Sequence, residues 1–182
     1  MKTLAAILGG LLWSAGVVLC AQSGSEKNVP PAANSGTATK PAAIPASTLE
    51  QDFFAIVRRG DAEKFLTYIP KDGVNVGRDA RLSTRSEIED QFAHHRDLYC
   101  TLFDSSCIQS TIKLDASTPP CSYRELLTQS GKVRTASTET TRNGVRQAIL
   151  IAEVHNQKCA GPGLIDFIFN YHQGGWKLFS IP

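Results

Sequence analysis

The stretch Leu164–Pro182, LIDFIFNYHQGGWKLFSIP, decides the fold of this chain, because its pattern is typical of two β-strands joined by a tight turn. Side chains of a strand alternate between its two faces. One face of the first strand carries Ile165, Phe167, Phe169 and Tyr171, and the other carries Leu164, Asp166, Ile168 and Asn170. The first strand is therefore expected to bury its aromatic face and to turn Asp166 and Asn170 away from it.

The turn of this hairpin is predicted at Gly174 and Gly175, because a tight hairpin turn needs positive φ angles. The return strand is expected to place Trp176, Leu178 and Ser180 on one face and Lys177, Phe179 and Ile181 on the other. A two-stranded ribbon alone is marginal in water. The hairpin therefore needs a larger sheet and a layer that covers its aromatic face.

Residues 1–21 have the pattern of a secretory signal peptide. A positive start precedes an apolar segment over residues 4–19, and Ala21 is a suitable last residue before cleavage. The alternatives are an uncleaved membrane anchor through residues 4–19 and lipidation at Cys20, although Leu19 is not the small residue expected before a lipidated cysteine. We expect a protein that is secreted or held in the periplasm or cell envelope, with no membrane contact after cleavage.

The segment that follows, residues 22–47, is rich in Pro, Ala, Ser and Thr and contains no aromatic residue. Such a segment buries too little apolar surface to offset the entropy lost on ordering, so it is predicted to be a disordered linker. Residues 48–182 remain for a single α+β domain, which is long enough for one hydrophobic core.

Four cysteines follow the signal peptide, and an even number in an exported chain indicates two disulfides. Three pairings exist. We favour Cys100–Cys107, which closes a short local loop, together with Cys121–Cys159, which links distant segments. The spacing is not that of a CxxC-type metal site, so neither a metal nor a cofactor is predicted. The 19 Lys and Arg residues nearly balance the 17 Asp and Glu residues, so a nucleic acid is not expected as a partner.

The domain is predicted to open with two helices. Ser47 and Glu50 have the spacing of a capping box for the first helix, and Gly60 ends it. Asp61 can cap the second helix, which Pro70 stops.

A short strand over residues 74–77 and a third helix follow. Thr84 and Glu87 form the capping box of this helix, which is expected to place Ile88, Phe92, His95 and Tyr99 along one side. Further elements are then predicted in this order: a strand at Ile108–Leu114, a helix capped by Ser122 and Glu125, and strands at Lys132–Thr141 and Val145–Val154 joined by an Asn143-Gly144 turn. The expected architecture is α+β, with the N-terminal helices covering one face of a curved, mostly antiparallel sheet.

Three segments carry a resemblance to a known family: FFAIVRRGDAEKFL at the opening helix pair, TRSEIEDQF after the Asp72-Gly73 turn, and FIFNYHQGGWKLFSI at the end. With them the chain, from Thr48 to Ile181, resembles the nuclear transport factor two-like superfamily, also called SnoaL-like or cystatin-like. The resemblance implies a cone, in which the sheet curls around a pocket that the helices close. The cysteine-bearing segment Cys100–Cys121 and the helix near Tyr123–Ser130 depart from the usual plan of this family.

Some members of that superfamily are isomerases, cyclases, dehydratases or epoxide hydrolases, and others bind small ligands or dimerise. Enzymatic members place one or two ionisable groups inside the cone, which makes His95, Asp166 and His172 the catalytic candidates, with His94, Tyr68, Glu153 and His155 as further ionisable residues. A His–Asp pair in an apolar pocket could shuttle a proton. However, the alternation directs Asp166 outward, and His172 lies at the turn. Adjacent histidines on a helix also diverge by about 100°.

The candidate ligand-binding residues are of two kinds. Aromatic residues that could line the cone are Tyr68, Phe167, Phe169, Tyr171 and Trp176, and cations that could hold a carboxylate or phosphate at its mouth are Arg78, Arg81 and Arg85. The expected ligand is small and apolar or anionic, and a homodimer through the open sheet face is a further possibility.

We therefore expect an exported, disulfide-bonded, non-catalytic domain that binds a small ligand or takes part in an interaction. The alternatives are a small-molecule lyase or isomerase with a proton-shuttling His or Asp in the cone, and a tethered envelope module that binds a protein.

Overall fold

The computed structural model describes residues 44–108, 119–155 and 158–182. The helices are α1 Ala46–Arg59, α2 Ala62–Thr67, α3 Arg85–Ala93, α4 Leu98–Phe103 and α5 Tyr123–Gln129, and a 3-10 turn spans Ser105–Cys107. The strands are β1 Val74–Val76, β2 Arg81–Ser83, β3 Lys132–Arg142, β4 Val145–His155, β5 Leu164–His172 and β6 Gly175–Ile181.

Several predictions concern residues outside this description: the signal peptide, the possible anchor through residues 4–19, lipidation at Cys20, most of the linker, and the strand at Ile108–Leu114 beyond its first residue. Within the described ranges, no helix is long and apolar enough to cross a membrane.

One six-stranded sheet organises the described residues, in the order β2-β1-β6-β5-β4-β3. All neighbours are antiparallel except β1 and β6, which run parallel. The helices cover the face that carries Phe167 and Phe169, whose rings contact Phe53 of α1. The α+β architecture predicted from the sequence, with helices on one face of a mostly antiparallel sheet, is therefore confirmed.

The aromatic face of β5 is buried as the alternation predicts. Ile165, Phe167 and Phe169 are completely buried, whereas Asp166 is exposed on the opposite face. β4 lies between β3 and β5, so it is an interior strand of the sheet.

A β-bulge in the closing hairpin changes the faces predicted for β6. Ile168 pairs with Ser180 and Phe169 pairs with Leu178, which leaves Phe179 as the extra residue. A bulge shifts the alternation by one position. Ile181 consequently joins Trp176 and Leu178 on the buried face, against the prediction that it would share a face with Phe179.

The turn of the same hairpin also differs from the prediction. The residues with positive φ are Gln173 and Gly174, and Gly175 is the first residue of β6. β5 ends at His172, one residue earlier than a Gly174-Gly175 turn requires, so the turn moves back by one position and Gln173 takes the left-handed conformation that was assigned to Gly175. The other predicted turn, Asn143-Gly144, is confirmed by positive φ angles at both residues.

Three of the four predicted helix caps are confirmed, and one is wrong. Asp61 accepts a hydrogen bond from the backbone N–H of Lys64 at 3.2 Å, and this bond lowers the pKa of its carboxyl group. Capping boxes are present at the starts of α3 and α5. α1, however, begins at Ala46 after Pro45, inside the segment predicted as linker, and no side chain caps it. Pro45 is the N-cap residue, and its carbonyl accepts from the N–H groups of Thr48 and Leu49 at 3.2 Å each, so the backbone alone starts this helix.

The predicted third helix is shorter than expected and breaks in two. α3 ends at Ala93, and positive φ angles at His95 and Asp97 separate it from α4. The prediction that His95 continues the apolar side of α3 is therefore wrong. Its ring instead stacks on the Tyr99 ring, with the ring centroids 4.2 Å apart. The break lets α4 bury Leu102 and Phe103 in the core.

The two favoured cysteine pairs are the pairs that the structure brings to disulfide distance. The Cα atoms are 5.4 Å apart for Cys100 and Cys107 and 5.6 Å apart for Cys121 and Cys159. The second pair lies beside backbone hydrogen bonds between the two segments, from Cys121 N to Ala160 O and from Ala160 N to Pro119 O, each 2.8 Å long. This link joins the start of α5 to the loop before β5.

The cap at the start of α5 and the missing cap at the start of α1 can be tested by replacing one serine at each helix start. Ser122 is fully buried and caps α5, and its hydroxyl oxygen accepts from the N–H of Glu125. Ser122→Ala should lower the free energy of unfolding by about 1–2 kcal/mol, the usual cost of losing a cap. Ser47→Ala should change it by less than about 0.5 kcal/mol, because Ser47 is exposed and caps nothing. Urea denaturation of both variants checks this difference; a larger loss at Ser47 would contradict the assigned start of α1.

Candidate functional site

The space between the helices and the sheet is filled by aromatic rings. Phe53 is at the centre, with ring centroids 4.8 Å from Phe167, 4.9 Å from Phe169 and 5.5 Å from Tyr68. Phe65 continues the cluster towards Phe92 and Phe103 of α3 and α4. The aromatic residues predicted to line a pocket therefore pack mainly against one another.

Two tyrosines lie at the border of this ring cluster. Burial raises the pKa of the half-buried Tyr68. Burial, with a smaller contribution from Asp166, raises the pKa of Tyr123 to about 12. The hydroxyl of Tyr123 donates to the carbonyl of Pro182 at 3.1 Å, which ties α5 to the end of the chain. Both phenols are thus neutral at physiological pH.

The ionisable candidates do not meet at one site. His95 and His94 lie at the end of α3, where the Nδ1 of His94 is 3.1 Å from an oxygen of Asp90. His155 lies at the end of β4 beside Glu153, and Asp166 is on the exposed sheet face. Within the described ranges, no ion pair joins His172 to a carboxylate. Among the residues that the structure describes, no histidine and carboxylate meet in an apolar pocket.

Tyr171 and Trp176, at one end of the buried face, both pack against the side chain of Arg146. The guanidinium of Arg146 lies 5.0 Å from the Tyr171 ring and 4.9 Å from the Trp176 ring, and it forms an ion pair with Glu139. This pairing lowers the pKa of the Glu139 carboxyl group. The indole N–H of Trp176 donates to the carbonyl of Ile44 at 2.9 Å. Trp176, together with Arg146, whose guanidinium also donates to the Ile44 carbonyl at 3.4 Å, fastens the segment before α1 to the sheet.

The three arginines predicted at the mouth of a cone point to different places. Arg78 is exposed in the turn between β1 and β2. Arg81 lines a polar depression of about 760 Å³ beside Cys100 and Cys107, which reaches Ile108, where the described segment ends. Arg85 lines a different groove. The predicted arginine cluster is therefore not formed.

The candidate binding site is this second groove, hereafter the hairpin groove, with a volume of about 890 Å³. One wall is the Pro70–Gly73 loop with Arg85 at the start of α3, and the other wall is the turn of the β5–β6 hairpin. Leu82 and Phe179 add apolar surface, and the cations Lys71 and Lys177 line the groove as well.

Local geometry holds the walls of the hairpin groove in place. Gly73 has φ +92°, and a Cβ there would lie 2.2 Å from the carbonyl oxygen of Ser83, so only glycine fits this close approach. On the other side, the N–H of Leu178 donates to the carbonyl of Tyr68 at 2.9 Å. The loop after α2 is thereby fixed against both β2 and β6.

The polar groups of the hairpin groove include one opposing charge. Asp72 lines it together with the two lysines and Arg85, and His172 and Asn170 lie at the hairpin side. The carboxamide oxygen of Asn170 accepts from Gln147 at 2.9 Å. The groove therefore combines apolar side chains with an excess of positive groups.

Sequence reasoning identified Arg85 and His172 but missed the other residues that characterise this groove. Leu82 belongs to β2, a three-residue strand that was not predicted. Lys71 lies in the loop that follows α2. Phe179 enters the groove only because of the bulge in β6. The signal in the sequence is weak. Strict alternation after Trp176 and Leu178 would bury the polar Ser180, whereas the next apolar residues are Phe179 and Ile181, and this mismatch is the sequence sign of an extra residue.

The open face of the sheet is partly apolar. Ile149 pairs with Ile168, and Ile151 lies one step further along β4, opposite Asp166. All three isoleucines are half-buried, and Leu164 near them is exposed. The homodimer through this face stays a prediction.

No protein-family model and no curated protein matches the chain. It is similar to the solved structure titled "Rd1NTF2_05 with long sheet", with 12% identity, a TM-score of 0.39, and coverage of 75% of this chain and 92% of that one. It is also similar to a variant of Rd1NTF2_05 whose title carries five substitutions, with 12% identity, a TM-score of 0.42, and coverage of 75% and 93%. At these values the likeness adds no argument, and the α+β assignment rests on the strand order and registers given above.

Proposed function

We propose that the α+β domain described above is a small-ligand-binding domain without catalytic activity, and that its ligand occupies the hairpin groove. The observation that carries the proposal is the groove itself. Its volume of about 890 Å³ lies in the range of small-molecule sites, and fixed backbone contacts hold its walls.

The distribution of exposed apolar side chains supports this site. Among the described residues, the exposed large hydrophobic side chains are Ile44, Leu82, Leu164 and Phe179. Leu82 and Phe179 both line the hairpin groove. Apolar side chains that converge on one concave surface are characteristic of ligand sites, whereas single ones scattered over a surface need no explanation.

The positions of the ionisable candidates favour binding over an isomerase or lyase reaction. Proton transfer needs an acid or base within hydrogen-bond reach of the reacting atom, and proton-shuttling groups are usually tuned by burial or a charged neighbour. His95 and Asp166 are exposed and lie on different elements, outside the residues that line the groove. His172 is exposed at the groove rim.

The cysteine pairs support a location outside the cytoplasm, as the pattern of residues 1–21 indicates. Disulfides form and persist in oxidising compartments, and two pairs lie at disulfide distance. We propose that the domain is exported and binds its ligand there.

The binding proposal predicts a site for a neutral apolar probe. N-phenyl-1-naphthylamine should fluoresce more strongly on binding the oxidised protein, because the groove removes it from water. The double variant Leu82→Gln/Phe179→Gln should weaken this binding by at least about tenfold, since contact with each side chain contributes up to about 1.5–3 kcal/mol. Fluorescence titration measures the change.

The matched control is Leu164→Gln, which replaces a similarly exposed leucine outside the groove: Leu164 is 53% exposed and Leu82 59%. It should bind the probe as the parent protein does. Because all three positions are exposed, the variants should unfold near the parent protein in urea. Equal binding by the double variant and the parent protein would refute the groove as the site.

A further inference from the structure

The hairpin groove separates apolar surface from cations in a way that specifies a class of ligand. Phe179 is turned outward by the bulge in β6, and bulges are a known means of re-aiming a side chain beside a site. Leu82 is contributed by β2, across β1 from β6. Together they offer a surface suited to an apolar chain or ring.

Two cations of the groove are held by the same short loop. The Nζ of Lys177 donates to the carbonyl of Thr67, and the Nη1 of Arg85 donates to the carbonyl of Ile69, each at 2.7 Å. These carbonyls lie two residues apart at the end of α2. Both cations are therefore held at the same wall of the groove, the one that the segment after α2 forms. Binding sites gain affinity when their charged groups are positioned before the ligand arrives.

Both cations keep hydrogen-bond donors beyond these bonds. A lysine ammonium has three donors and a guanidinium has five. Among the described residues, Lys177 uses one donor, and Arg85 uses one on Ile69 and another on Glu89 at 2.7 Å. The remaining donors suit a carboxylate, which accepts charge-assisted hydrogen bonds.

The balance of charge along the walls also favours an anion. Lys71, Arg85 and Lys177 line the groove against the single carboxylate Asp72. Glu89, which pairs with Arg85, lies outside the lining residues and offsets part of that charge. With Arg85 balanced by Glu89, the two lysines exceed Asp72 by one positive charge.

We propose that the hairpin groove binds an amphipathic carboxylate, with its apolar body against Leu82 and Phe179 and its carboxylate facing Arg85, Lys177 and Lys71. This inference rests on the proposed function, because it names the ligand class of the same groove. It differs from a purely apolar site in one measurable respect: the negative head group must contribute to affinity.

Three probes of equal chain length separate the head group from the chain. Decanoate, decanol and decyltrimethylammonium, each below its aggregation limit, compete with N-phenyl-1-naphthylamine on the oxidised full domain. Decanoate should displace the dye at a concentration at least about tenfold lower than decanol, and decyltrimethylammonium should be the weakest. Lys71→Gln and Lys177→Gln should each reduce the preference for decanoate over decanol by about threefold or more, with little change for decanol.

Lys71→Gln should fold as the parent protein does, since Lys71 is exposed and forms no described hydrogen bond or ion pair. A change of preference in this variant therefore reports on the lost charge and not on folding. Arg134→Gln, which removes an exposed cation of β3 outside the groove, should leave the preference unchanged. Equal displacement by decanoate and decanol would overturn the carboxylate assignment and leave the groove as an apolar site. Failure of all three probes to displace the dye, with dye binding unaffected in Leu82→Gln/Phe179→Gln, would overturn both the ligand class and the proposed function.

Discussion

Phe53→Ala should destabilise the domain by about 3–5 kcal/mol, the range measured when a buried phenylalanine is truncated. Phe53 is completely buried, and its ring contacts those of Phe167, Phe169 and Tyr68. Truncation removes the edge-to-face contacts and leaves a cavity where α1 meets the sheet. Because natural domains are stable by about 5–15 kcal/mol, this loss is large enough to shift the urea midpoint strongly.

The matched control is Phe179→Ala, which makes the same chemical change at a side chain that is 42% exposed. Phe179 lies outside the alternation of β6, so its loss should change the free energy of unfolding by no more than about 1 kcal/mol. Urea unfolding of both variants gives the comparison directly. Similar losses at the two positions would mean that the rings between α1 and β5 are not the centre of the core.

The success of the sequence analysis at β5 has a simple physical cause. The alternation of side chains depends only on neighbouring residues. A strand with Ile165, Phe167 and Phe169 on one face therefore indicates which of its faces is buried. Helix caps are equally local, and those of α2, α3 and α5 were predicted correctly. α1 is the exception, because its N-cap residue is Pro45, whose side chain cannot accept a hydrogen bond.

The errors arise where distant residues decide the geometry. The bulge at Phe179 depends on how β6 pairs with β5 on one side while it meets β1 on the other. The break after Ala93 is set by the core, in which Leu102 is buried and Phe103 of α4 packs against Phe65 of α2 and Phe92 of α3. Periodicity alone continues a helix through such a break.

The hairpin groove was unpredictable for the same reason. Its apolar residues come from β2 and from a bulge, and its cations are held by carbonyls of the loop after α2. Arg85 and His172 were named from the sequence, but Arg85 was assigned to the mouth of a cone and His172 only to the hairpin turn, and neither was expected to share a groove. The sequence contains the right residue types, and the long-range contacts determine which of them converge.

Removing the link between Cys121 and Cys159 should cost about 4 kcal/mol of stability, whereas removing the link between Cys100 and Cys107 should cost about 2 kcal/mol. These values follow from the entropy of the unfolded chain, which a cross-link restricts more as the closed loop lengthens. The sequence separations are 38 and 7 residues. The variants are Cys121→Ala/Cys159→Ala and Cys100→Ala/Cys107→Ala, compared by urea unfolding without reductant.

Two controls make this prediction specific to the cross-links. Reductant should destabilise the parent protein by about the sum of both losses, and it should have no effect on the variant with alanine at all four cysteines. Peptide mapping of the unreduced protein should show Cys121 joined to Cys159 and no free thiol at any of the four positions. Since the Cys121–Cys159 link fixes the start of α5 beside the loop before β5, its loss should also speed proteolysis near Ala160. An equal cost for the two variants would contradict loop length as the cause.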